Sequence, residues 1–126
     1  MLLEDFYHIA QLQSSGNKLA AHVLLNPKHE VYKGHFPEQA VVPGVVQLQM
    51  IKELFEQAVS RELLISEIIQ AKYLRMITPA ENTSLDIQVE WSSDEKGTFL
   101  INASVSGNQT VFTKLKARLK EAENNS

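Results

Sequence analysis

The sequence predicts an α+β fold in which a curved antiparallel sheet wraps around one long central helix. Three observations carry this. Gly44 to about Leu63 is the one convincing helix, and its apolar arc is wide. Val45, Val46, Leu48, Met50, Ile51, Leu54, Phe55, Ala58 and Val59 fill most of the circumference, leaving one polar arc of Gln49, Lys52, Glu53, Glu56, Gln57 and Ser60. Such a helix must be embraced on several sides. The runs that follow alternate with a period of two, as half-buried strands do. A strand-like hairpin precedes the helix. One helix and one sheet close a common core only if the sheet curls around the helix and leaves its other face to water.

The elements follow in order. From Phe6 to Leu25 two strand-like runs flank Ser14-Ser15-Gly16-Asn17, a turn signal. Tyr7, Ile9 and Gln11 are expected on one face of the first run, and Leu19, Ala21, Val23 and Leu25 on one face of the second. Asn26 to Val42 shows no period and is punctuated by Pro27, Gly34 and Pro37, with Pro43 beyond. A loop this long in a compact domain tends to be functional. Pro43 stands at the helix start, where its missing N–H costs nothing. Gln47 points into the middle of the apolar arc and is the one exception to the pattern. A meander of about four strands follows: Ile65 to Ile77, Leu85 to Trp91, Phe99 to Val105 and Val111 to Leu119. In the last, Val111, Thr113, Leu115, Ala117 and Leu119 are expected inward, with Phe112, Lys114, Lys116, Arg118 and Lys120 opposite. Ser106-Gly107-Asn108-Gln109 reads as a hairpin turn. Residues 121–126 read as a polar, frayed tail.

The chain of 126 residues fits a single domain spanning 1–126, long enough to bury roughly two thirds of its unfolded surface. Apolar content of 44% and charge of 21% are those of a soluble globular protein. A net charge of −3 gives no electrostatic case for nucleic acid. Without cysteine, a disulfide, a thiolate metal site and a Cys nucleophile are excluded. No His/Asp/Glu cluster has metal-ligand spacing, and no cofactor is implied. Glu4 and Asp5 interrupt any signal-peptide core and no run approaches a membrane span, so a cytoplasmic location is expected.

The chemistry gathers at Gly34-His35-Phe36-Pro37 and Pro43-Gly44-Val45. A histidine exchanges a proton near neutral pH. The first turn of a helix offers unpaired N–H groups and a positive dipole end to an oxygen gaining negative charge. A base beside such donors suits proton abstraction next to a thioester or ketone. On residue type alone, the commoner outcome is a loop histidine bonded to backbone. His8, His22 and His29 have the plainer reading still more strongly.

These motifs resemble the signature of the 3-hydroxyacyl-[acyl-carrier-protein] dehydratases of the FabZ/FabA type, which have the hot-dog fold. The spacing of the His-Phe-Pro and Pro-Gly-Val segments matches. Ala71 to Pro79 looks like that family's post-helix strand, Trp91 to Leu119 like its terminal strands, and Val45-Val46-Gln47-Leu48 is similar to the small aryl-polyene-cluster dehydratases. The resemblance implies a hydro-lyase in fatty acid or polyene synthesis, acting on a thioester of acyl carrier protein or coenzyme A. His35 would be the base, the amides of Gly44 or Val45 would bind the thioester oxygen, Phe36 would line the acyl site, and position 49 would hold the acid. That acid comes from the second subunit, so a homodimer or higher even oligomer is expected.

The sequence departs from the pattern at Glu38, at Ala40 and above all at Gln49, where the family has Glu or Asp. A carboxamide can hold a hydroxyl but cannot deliver a proton. Three functions therefore stand side by side: a dehydratase, a non-catalytic acyl-thioester-binding subunit that acts with an active partner, and a hot-dog thioesterase. Glu53, one turn beyond Gln49, reads as an exposed helix residue near Lys52 and Gln57. The stripe Lys114, Lys116, Arg118 and Lys120 reads as a solvated outer face or as a dock for an acidic carrier protein.

Overall fold

The computed structural model describes residues 5–29 and 41–122. His35, Phe36, Glu38 and Ala40 lie outside the described residues. Of the tail expected to fray from 121, Glu121 instead ends the last strand and Ala122 donates its N–H to the Glu62 carbonyl, while residues 123–126 lie outside the described residues. Strands β1 (Tyr7–Ser15) and β2 (Lys18–Leu25) form the first hairpin. Helix α1 runs over Gly44–Val59, and β3 (Leu63–Tyr73), β4 (Ser84–Ser93), β5 (Phe99–Gly107) and β6 (Thr110–Glu121) follow. The strands form one six-stranded sheet in the order β1-β2-β4-β5-β6-β3, with every pairing antiparallel. One helix against one such sheet is the hot-dog arrangement that the periodicity and the resemblance both predict.

Four details differ from the sequence reading. The helix ends at Val59, not near Leu63: Ser60 adopts a left-handed conformation (φ 56) and returns its N–H to the Glu56 carbonyl. The Glu56 carboxylate then accepts the N–H of Leu63 at 2.8 Å, which turns the chain directly into β3. The meander holds three strands rather than four. β3 crosses to the far edge and pairs with β6, while β4 pairs with β2. An irregularity between Ile9 and Gln11 moves Leu12 rather than Gln11 toward the core. A second, between Val105 and Ser106, inverts the start of β6: Phe112 is buried and Val111 is exposed. A local extra residue shifts the side-chain alternation by one, and simple period-two counting does not register it.

The core lies between α1 and the inner sheet face. Met50, Leu54 and Phe55 are fully buried, and Phe55 meets Trp91 and Phe99 edge-on at 5.1 and 5.2 Å between ring centroids. Phe55 is therefore a core anchor that ties α1 to β4 and β5. The two-residue turn at Asn108 and Gln109 has positive φ at both positions, the geometry that suits a right-twisted hairpin. The basic side chains of β6 face away from the helix, and Arg118 pairs with Glu67 of β3. No described helix is long and apolar enough to cross a membrane.

Phe55→Ala removes the shared ring of both aromatic contacts. It is expected to lower unfolding free energy by roughly 3–5 kcal/mol, measured by urea denaturation.

Candidate active site

The start of α1 is fixed by a polar bridge through the core. Gln47 is 3% exposed. Its Nε2 donates to the Val42 carbonyl at 3.2 Å, and its Oε1 accepts from the hydroxyl of Thr113 on β6. Val42 in turn donates its N–H to the Ile77 carbonyl at 2.8 Å. A buried amide left unpaired would be costly, and here both ends are used. The residue that broke the apolar pattern therefore anchors to β6 the segment entering the helix, which Val42 also ties to Ile77.

At the helix start, Pro43 is extended and no side chain caps the first turn. The amides of Gly44 and Val45 precede the first intrahelical bonds. The Tyr73 ring lies directly over Gly44: a Cβ at that position would stand 2.7 Å from the ring. A larger residue here would push the half-exposed Tyr73 ring aside, a close approach that a strand-helix spacing argument does not foresee. The Val45 side chain is expected in the apolar arc but is 74% exposed. With Tyr73, Leu74 and Met76 it adds to the exposed apolar surface of the chain.

One turn on, the structure corrects the reading of Glu53. It is 2% exposed, not a solvated helix residue. Tyr7 of β1 reaches over the helix and donates its hydroxyl to Glu53 Oε1 at 3.0 Å, and Gln49 Nε2 donates to Glu53 Oε2 at 2.9 Å. Long helical side chains lean toward the N-terminus, so the Glu53 carboxylate lies beside the Gln49 amide rather than a full turn below it. Burial, reinforced by the charge and hydrogen bond of Glu53, raises the Tyr7 pKa well above its ordinary value. Tyr7 therefore remains a hydroxyl donor throughout the neutral range. The sequence carried one weak signal for this trio: an inward-facing Tyr has a polar tip that needs a partner.

Gln49 is half-buried and lines an open groove of about 630 Å³ with Glu53, Lys52, Glu56, Leu63 and Leu64. A groove of similar size on the outer sheet face, lined by Gln13, Lys18, Gln88, Asn102 and Lys114, is remote from the helix and its chemistry. Of the expected site residues, Gly44, Val45 and Gln49 thus share the first turns of α1. No group of three or more His, Asp or Glu among the described residues could hold a metal ion.

The chain matches the ApeI dehydratase family over residues 11–114, and it belongs to this ApeI-like hot-dog dehydratase family. Two FabZ 3-hydroxyacyl-[acyl-carrier-protein] dehydratases are distant relatives. That of Clostridium novyi is 26% identical over 64% of this chain and 61% of its own length. That of Clostridium acetobutylicum is 22% identical over 65% of this chain and 63% of its own length. The matched region spans less than two thirds of either relative. Among solved structures, the dehydratase heterocomplex ApeI:P from Xenorhabdus doucetiae aligns with a TM-score of 0.73 at 17% identity, covering 90% of this chain and 97% of that one. The PaaI protein of the E. coli phenylacetic acid degradation operon aligns at 0.67 and 10% identity, covering 98% and 85%. These structures share the fold.

Tyr7→Phe withdraws one donor from the buried carboxylate and is expected to cost about 1–3 kcal/mol near neutral pH. The cost depends on pH. A folded pKa raised above the ordinary Tyr value of 10.0 gives stability that is complete below 10.0 and falls as pH rises beyond it. The difference in melting temperature between wild type and Tyr7→Phe should therefore hold constant up to about pH 9 and shrink as pH rises beyond about 10.

Proposed function

We propose that this chain is a single hot-dog domain that binds 3-hydroxyacyl thioesters of acyl carrier protein and removes water from them to give enoyl thioesters. The observation that carries the reading is the pinned, uncapped helix start at Gly44, with Gln49 placed on the same helix at the spacing of the family pattern. In this reading the thioester oxygen lies at the amides of Gly44 and Val45, Phe36 lines the acyl site, and the 3-hydroxyl lies at Gln49. His35 takes the proton from C2. The C2–H electron pair becomes the C2=C3 double bond, and the C3–O bond breaks with its pair. Because Gln49 holds no transferable proton, His35 returns the proton it has taken, and the oxygen leaves as water.

A cytoplasmic, even-numbered oligomer is part of the proposal. β3 is an edge strand, its pairing with β6 is irregular between Ile68 and Gln70, and Ile68 and Ile69 are both exposed there. An unpaired apolar edge of this kind favours pairing with another chain. A second reading is favoured by Gln49 itself: the chain binds the acyl thioester, and a related active chain supplies the acid. The similar structure that forms a heterocomplex makes this arrangement reasonable.

Pure protein incubated with 3-hydroxyacyl carrier protein should form the enoyl thioester, and His35→Ala should slow this by roughly 10²–10⁴-fold. An active protein indifferent to His35→Ala would overturn the mechanism. An inert wild type in which Gln49→Glu creates activity would select the second reading. Light scattering at low concentration should give a dimer or larger even oligomer, and a pure monomer would contradict the shared-site assembly.

A further inference from the structure

The trio of Tyr7, Glu53 and Gln49 has a consequence for which thioesters the site accepts. We propose that Glu53, held by Tyr7, is a positioning residue that locks the Gln49 amide with its carbonyl oxygen outward, so that Gln49 selects a 3-hydroxyacyl over a 3-oxoacyl group. This rests on the reading above that the 3-hydroxyl lies at Gln49.

Donors and acceptors fix the orientation of the Gln49 amide. A carboxylate only accepts. Glu53 Oε1 takes the Tyr7 hydroxyl at 3.0 Å, and Glu53 Oε2 takes Gln49 Nε2 at 2.9 Å. Turning the amide over would bring Gln49 Oε1 against Glu53 Oε2, two acceptors at hydrogen-bond distance with no proton between them. The burial of Glu53 makes that clash expensive, since little water is present to relieve it. Gln49 Oε1 is therefore directed away from Glu53, and no described residue donates to it. A group bound there must offer a hydrogen. A 3-hydroxyl does. A 3-oxo group offers only lone pairs, and a methylene offers nothing. Tyr7 strengthens the lock by remaining a donor and by fixing the carboxylate plane from the sheet side.

The test compares ligands that cannot turn over. Pantetheine amides, in which nitrogen replaces the thioester sulfur, are made with 3-hydroxyacyl and 3-oxoacyl chains of short, medium and long length, and their affinities are measured by titration calorimetry. Wild type should prefer the hydroxyacyl ligand by roughly 10- to 100-fold, the factor that leaving one buried polar group unpaired corresponds to. Glu53→Gln introduces an amide that can face Gln49 by either end, so the preference should fall to about 3-fold or less. Gln49→Met removes the acceptor at similar volume and should abolish the preference with the fold intact. A purely structural role for Glu53 would weaken both ligands in proportion and leave their ratio unchanged. A ratio unaffected by both substitutions, or a wild type that binds both ligands equally, overturns the assignment alone. A wild type that binds neither ligand at any chain length overturns the functional reading and this inference with it.

Discussion

Wrapping one sheet around a sixteen-residue helix forces the helix to bury a wide arc, and that arc includes two polar positions. Most of this structure follows from how those polar positions are satisfied. Gln47 and Glu53 are both under 4% exposed, and neither could be left unpaired in so enclosed a place. Gln47 takes its partners from Val42 and Thr113, which fixes the helix start. Glu53 takes Tyr7 from the sheet and Gln49 from its own helix, which fixes the next turn. The same bonds that make burial tolerable also set the orientation of the groups that a substrate would meet. Stability and site geometry are thus two results of one constraint.

Much of the architecture was legible in the sequence because it rests on periodicity. The wide apolar arc of α1 dictated an embracing sheet. The alternation in β4 and β5 placed Leu85, Ile87, Val89, Ile101 and Val105 inward, as found. Pro43 marked the helix start to the residue. What periodicity does not encode is pairing across the sheet. Nothing local says that β3 joins β6 at the far edge, because that choice is made by long-range packing and by the turn that Ser60 and Glu56 create. The irregularities in β1 and β6 were invisible for a related reason, since one extra residue shifts the alternation without changing composition.

The site was legible in part. The spacing from Gly44 to Gln49 puts the expected oxygen-binding amides and the expected hydroxyl-binding position on consecutive turns of one helix. Glu53 was misread because helix geometry alone assigns it to the polar arc, and a polar arc is ordinarily solvated. It is buried, and its carboxylate is bonded by Tyr7, which lies 46 positions away in sequence and on a different element. The exposed Val45 was misread for the converse reason: the sheet does not close over the first turn of the helix, and Tyr73 takes the space above Gly44 instead. An apolar surface left open beside a helix start suits either an acyl chain or another subunit.

The departure at position 49 acquires a physical meaning in this setting. The carboxyl group absent there is present one turn later, but it is held as an acceptor by two donors, not offered as an acid. On the proposed reading, the arrangement suits recognition of a hydroxyl over its protonation by this helix. The most direct test of the account is a crystal structure with a 3-hydroxyacyl pantetheine amide bound. The account predicts the ligand carbonyl at the amides of Gly44 and Val45 and the 3-hydroxyl within hydrogen-bond distance of Gln49 Oε1. A ligand seated elsewhere, or one whose hydroxyl meets Glu53 with Gln49 turned away, would contradict it.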